Sequence, residues 1–208
     1  MKQIAVLLVL GFALSLCNRS NKLKNTDKSG QPGKSSSTSS DTASERGTPT
    51  ATQTEALAGG QTVKWDHQGM SWTVPPKWTQ ADNDSKMLVW RSPGGSDAAN
   101  LIVNISAMDE SFPTDISIKG FFDGAKTRAG NGEVDEVKWL EIDGLKGVEF
   151  REANPEKADG IRRLQWMAYR KYAGQVQLVN LMLSSSGSGF PKHQDAMYGV
   201  LYSTKIAH

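Results

Sequence analysis

The sequence predicts an α+β fold, an antiparallel sheet whose faces are covered by helices, and three observations carry that expectation. Several short segments alternate apolar and polar residues at period two, two longer ones carry apolar residues at helical spacing, and tight-turn residues join neighbouring strand segments into hairpins. All of these lie in residues 61–208, which also hold all six Trp of the 208-residue chain.

In chain order, Met70, Trp72 and Val74 alternate with Ser71 and Thr73 until Pro75-Pro76 stops the strand. Leu101, Val103 and Ile105 alternate with Ile102, Asn104 and Ser106 in the next clear strand. A helix is expected from Asp115 to Ala129, with Ile118, Phe121, Phe122 and Ala125 on one stripe, Thr114 or Asp115 as cap and Gly130 as stop. Asp143-Gly144 joins Val137–Ile142 to Leu145–Phe150, a pair suited to the turn of a hairpin. Leu164, Trp166 and Ala168 face opposite Arg163, Gln165 and Met167, and Tyr172-Ala173-Gly174-Gln175 turns the chain into Val176–Leu183. That last run is apolar on both faces apart from Gln177 and Asn180, the pattern of a central strand covered on both sides. A closing helix starts at Pro191 and turns Met197, Val200 and Leu201 inward.

The N-terminus reads as an export signal. Met1-Lys2 precedes 13 apolar or small residues, Ile4 to Leu16, too few to cross the ~30 Å hydrocarbon layer as a helix. They match the hydrophobic region of a secretory signal peptide. The segment ends Leu14-Ser15-Leu16-Cys17, with the only Cys of the chain. This resembles a bacterial lipobox, in which Cys17 becomes the lipidated first residue of the mature protein. Leu16 departs from that pattern, which favours Gly, Ala or Ser there. Ala13-Leu14-Ser15 offers the alternative of ordinary cleavage and soluble release, periplasmic or secreted. Both alternatives place the rest of the chain in the cell envelope or beyond.

Residues 18–60 read as a disordered tether. Of these 43 residues 15 are Ser or Thr and none is aromatic, so there is little apolar surface to offset the entropy of ordering the backbone. Basic residues crowd near Cys17 (Arg19, Lys22, Lys24, Lys28), a distribution suited to an anionic membrane surface. The formal charge of the whole chain is only +2, which argues against a nucleic-acid partner. A single Cys excludes intrachain disulfides and multi-cysteine zinc sites, and three scattered His (His67, His193, His208) disfavour a His-rich metal centre. No cofactor is expected.

Gly69-Met70-Ser71-Trp72-Thr73-Val74-Pro75-Pro76-Lys77-Trp78 resembles the opening signature of the PsbP-like superfamily. Val137 to Gly147 is similar to that family's hairpin, and Phe190 with the following amphipathic helix to its terminal helix. The resemblance covers roughly Thr62 to Ile206. It implies an α/β/α sandwich and membership of a set that includes DcrB-like bacterial envelope lipoproteins, mostly non-enzymatic adaptors or subunits. The function it implies is a non-catalytic binding or assembly module that engages an envelope protein from a lipid anchor. The alternative is a carrier of a small apolar or glycan ligand in a cavity between sheet and helix.

No catalytic constellation is expected. Ser184-Ser185-Ser186, His193 and Asp195 have the letters of a triad, but the nucleophile elbow is missing and residues two apart on a helix point to different sides. Asp82-Asn83-Asp84 lacks the Gly and the distant Glu of a calcium loop. Glu133, Asp135, Glu136, Glu141 and Asp143 read as a solvated strip or as edge protection. Arg163, Met167, Tyr169 and Lys171 share one strand face and form the candidate partner surface, since exposed Arg, Tyr and Met are enriched at interfaces. The competing expectation is that Met167 and Tyr169 lie under a helix while the charges sit at the strand ends.

Overall fold

The computed structural model describes residues 43–208, so the export-type segment and Cys17 fall outside the described residues. In chain order the elements are β1 (Glu45–Arg46), α1 (Ala51–Glu55), β2 (Gln61–Trp65), β3 (Met70–Val74), β4 (Thr79–Asn83), β5 (Met87–Arg91) and β6 (Asn100–Met108). Then follow α2 (Thr114–Gly130), β7 (Val134–Ile142), β8 (Leu145–Glu152), β9 (Ile161–Tyr172), β10 (Gln175–Ser186), α3 (Phe190–Ser203) and β11 (Lys205–Ile206). Eight strands form one sheet in the order β1-β7-β8-β9-β10-β6-β5-β4, antiparallel throughout except for the parallel β1–β7 pair. A second sheet, β11-β3-β2, packs with α3 on one face of the first, and α2 lies on the other. This is the expected α+β sandwich.

Both predicted hairpin turns form. Asp143 and Gly144, then Ala173 and Gly174, take positive φ (50° and 84°, 50° and 76°), the paired left-handed geometry that two-residue hairpins demand. The core lies between the large sheet and the layer of α3 with the small sheet, around Trp65, Trp72, Trp166 and Phe190, each less than 2% exposed. Trp166 Nε1 donates to the Leu140 carbonyl at 3.0 Å, which satisfies the indole inside the core. Gly147 of β8 makes room for that ring, because a Cβ there would come within 2.6 Å of Trp166 Nε1 and 2.4 Å of the Met167 carbonyl.

Two sequence expectations are corrected. The segment 45–58, read as part of the tether, carries regular structure that packs on the domain. Glu45 and Arg46 pair with Leu140 and Glu141 of β7. Thr50 caps α1 through a capping box with Gln53, and Leu57 packs against the core. Gly199 of α3 admits α1 closely, since a Cβ there would meet the Gln53 carbonyl at 2.7 Å. Composition missed this segment because backbone pairing and a cap hold it more than apolar burial does. The other correction concerns β10, which is central, between β9 and β6, but whose outer face is covered only in part. Leu178 packs against the cluster under α2, while Asn180 and Met182 stay partly exposed because α2 lies chiefly over β7, β8 and β9.

Candidate functional site

On its outer flank α2 stands off the β7–β8 hairpin and leaves a cavity of about 410 Å³. Asp115, Ile118, Lys119, Phe122 and Asp123 line it from α2, at the three- and four-residue spacing that keeps side chains on one helix face. Trp139 of β7 and Lys146 of β8 line the opposite wall. Phe122 stacks on Trp139 with ring centroids 4.7 Å apart and planes 10° from parallel. The Lys146 ammonium lies 4.7 Å from the same indole centroid, a cation–π distance. Lys119 is bridged to Asp123 one turn along the helix. The arrangement combines an apolar aromatic wall with a rim carrying charges of both signs, the composition of a small-ligand cavity.

The opposite face of the same hairpin carries a buried polar cluster. Glu149 of β8 is fully buried, with the Tyr198 hydroxyl donating to its Oε1 at 3.3 Å and the Lys138 ammonium 3.8 Å from its Oε2. Oε2 accepts no hydrogen bond among the described residues. Lys138 also reaches Glu136 at 3.0 Å and Glu45 of β1 at 3.3 Å. Arg151 bridges Glu136 at 3.2 Å and donates to Tyr198 Oη at 3.2 Å. Burial pushes the Glu149 carboxyl up to about 7, and the Lys138 charge only partly opposes that. Burial alone would lower Lys138, but the Glu149 and Glu136 carboxylates outweigh it and hold the ammonium above its ordinary value. Tyr198 is raised by burial and then by Glu149. Perturbed acids and bases often mark reactive sites; this cluster lies under α3 and β1 and is bound up with holding both in place.

The residues singled out from sequence fall as follows. Met167 is only 6% exposed and packs with Ala125, Val134 and Phe150 under α2. Tyr169 lies at the start of the same helix, its hydroxyl 2.8 Å from Ser117 Oγ and its ring 5.6 Å from Phe112. Arg163 bridges Glu152 at 3.1 Å, and Lys171 is exposed near the hairpin end. The strand face is thus shared as expected, with its centre covered and its charges at the margins. The serines hold a loop: Ser185 Oγ donates to the Asp97 carbonyl at 2.9 Å and Ser186 Oγ to Asp97 Oδ1 at 2.8 Å. His193 Nε2 lies 3.0 Å from that same carbonyl, and Lys192 bridges the carboxylate at 3.0 Å. The Ser186 hydroxyl and then Lys192 keep the Asp97 carboxyl below the usual range. Asp84 accepts from the backbone N–H of Lys86 and Met87, a turn device that lowers its carboxyl as well. The acidic strip is spent in ion pairs, Glu133 with Arg128, Asp135 with Arg162, Glu141 with Arg46 and Asp143 with Lys205. Among the described residues no cluster of His, Cys, Asp and Glu could hold a metal ion, and no helix is long and apolar enough to cross a membrane.

Sequence reasoning carried a cavity between sheet and helix only as an alternative and named none of its residues, and it missed the buried cluster. The signal for the cavity was available, as Ile118 and Phe122 belong to the apolar stripe of the helix. Glu149 carried none, being one polar letter in an alternating strand.

No family model and no curated protein matches the chain. Among solved structures, LpqN of Mycobacterium tuberculosis, described as involved in cell envelope biogenesis, aligns at TM-score 0.52 over 72% of this chain and 86% of its own, with 10% identity. The two share a fold. Also matched is the cyanobacterial PsbP of Synechocystis, whose superfamily residues 69–78 resemble, at TM-score 0.45 and 16% identity over 71% of this chain and 92% of its own. The Ran-binding protein Mog1p of Saccharomyces cerevisiae matches at TM-score 0.40 and 9% identity, over 71% and 95%.

Proposed function

We propose that this protein is a non-catalytic binding or assembly module of the bacterial cell envelope, anchored by lipid at Cys17 and engaging a protein partner. The observation that carries the reading is the commitment of the candidate nucleophile and base. Ser185, Ser186 and His193 all bond Asp97 and fasten β10 and the start of α3 to the loop before β6. The fold shared with an envelope-biogenesis protein supports the location, as does the apolar segment ending at the lone Cys17. Arg163 and Lys171, at the margins of the strand face, remain candidates for the partner surface, with Met167 and Tyr169 supporting them from beneath.

Mass spectrometry of the mature N-terminus tests the anchor. The expected result is an acylated Cys17 as first residue; an unmodified N-terminus after Ser15 would replace anchoring with soluble release. A second reading, carriage of a small ligand, is favoured by the cavity beside Phe122 and Trp139. Native mass spectrometry of the protein from its own host, showing a bound molecule lost in Phe122→Ala, would support it.

A further inference from the structure

The helix layer on the α2 side is short by one helix. α2 covers β7 to β9 and reaches β10 at Leu178, while among the described residues the same face of the rest of β10, of β6 and of β5 stays partly exposed. Strand register places Val89, Ile102, Met182 and Gln165 in one row across that face, and Met87, Asn104, Asn180 and Met167 in the next. All but Met167 are partly exposed. Three strands at about 4.8 Å spacing make a strip about 14 Å wide, room for one helix about 10–12 Å across. All three strands pair from Asn100 to Asn104 of β6, about 14 Å at ~3.4 Å per residue, the length of roughly nine helical residues.

The flank of α2 that borders this strip carries Gly120 and Gly124, which line a second cavity with Phe121, Arg128, Phe150 and Met167. Neither glycine has positive φ, and a Cβ on either would meet no atom within 4 Å. Each costs about 1 kcal/mol of helix propensity relative to Ala, so neither conformation nor packing among the described residues requires them. Small residues four apart on a helix let a second helix approach closely. At one end of the strip stand three guanidinium groups. Arg128 and Arg163 share the Glu152 carboxylate, Arg128 also reaches Glu133, and exposed Arg91 bonds the Gly95 carbonyl.

We propose that the open face of β10, β6 and β5, bordered by Gly120 and Gly124, is the docking site for one amphipathic helix of a partner protein with acidic residues at its arginine-facing end. The three guanidinium groups outnumber the two carboxylates they meet, and this excess of positive charge, with Arg91 bonded only to a carbonyl, favours an acidic helix end. A membrane surface fits less well, because Met87, Val89, Ile102 and Met182 of this face are only partly exposed. This inference rests on the binding-module reading and specifies its surface.

The test places a photo-crosslinking amino acid at Met182 in the full-length protein, with a control at Gln80 on the far edge strand, in the cells that make it, and sequences the cross-linked peptide. The expected adduct at Met182 is a segment with apolar residues at three- and four-residue spacing and acidic residues at one end. It should fall at least tenfold with Gly124→Leu and with Arg163→Glu, and stay unchanged with Gly124→Ala, which checks that the helix tolerates a side chain. An adduct to lipid, to a second copy of this chain or to a non-helical segment, or one insensitive to Gly124→Leu, overturns the inference. An adduct at Gln80 alone overturns it while leaving the binding-module reading standing, and none at either position counts against both.

Discussion

Replacing Glu149 by Gln changes how stability depends on pH, and by an amount the structure sets. The carboxyl titrates at about 7 in the folded domain against 4.5 ordinarily. Between those values the folded state holds a proton that the unfolded state has released. Stability therefore falls as pH rises from 4.5, at no more than about 1.4 kcal/mol per pH step, and levels off above 7. The total is about 3 kcal/mol. The amide introduced by Glu149→Gln cannot ionise, keeps the volume and leaves an oxygen for the Tyr198 hydroxyl, while Lys138 retains Glu136 and Glu45. Urea unfolding at pH steps from 4.5 to 8 reads the effect as the difference between the two curves. The Asp84, Asp97 and Asp143 carboxyls, all held low, contribute stability that is lost only as pH falls through their folded values, and they cancel in that difference. The difference should grow in favour of Glu149→Gln between pH 4.5 and 7 and then flatten. A difference independent of pH would refute the assignment of the raised carboxyl to this residue.

Three further outcomes follow from the packing. Gly147→Ala should destabilise the fold by about 1–3 kcal/mol in urea unfolding, because the added methyl meets Trp166 and the Met167 carbonyl with no room to move. Phe122→Ala removes a largely buried ring and the stack on Trp139, costing about 3 kcal/mol and shifting indole emission toward that of a wetter Trp139. Arg170→Met should cost about 3 kcal/mol by thermal or urea unfolding, since Arg170 is 3% exposed and its guanidinium serves Gln177, the Ala207 carbonyl and Gln68. A change below about 0.5 kcal/mol in any of the three would show that the site relaxes more freely than close-packed interiors do.

What the sequence made legible follows local rules. Period-two alternation at 70–74 and 101–106, the Asp143-Gly144 turn and the apolar stripe of 118–125 each depend on residues near one another in the chain, and each forms as expected. The strand β1 was not legible, because two residues paired through the backbone to β7, ninety-odd positions away, leave no compositional trace. Nor was the Glu149 cluster, which needs Lys138, Arg151 and Tyr198 brought together from two strands and a helix. Among the candidate partner-surface residues, Met167 and Tyr169 shared a face with Arg163 as alternation required, yet only the path of α2 decides which part of that face is covered.

The same asymmetry explains why β10 misled. A strand buried on one face and half-covered on the other can carry Leu178 and Met182 outward, so its letters match those of a strand buried twice. The partial coverage is visible in Asn180, whose amide oxygen accepts from Gln165 at 2.8 Å on that outer face. Neighbouring polar side chains that satisfy one another can stand beside apolar ones at the boundary of an open surface without the desolvation cost of an unpaired buried amide. The mixture of amides, Met, Ile and Val along rows 87–104–180 and 89–102–182 therefore suits a sheet face that stays partly exposed, where amides meet water or one another beside half-buried apolar groups.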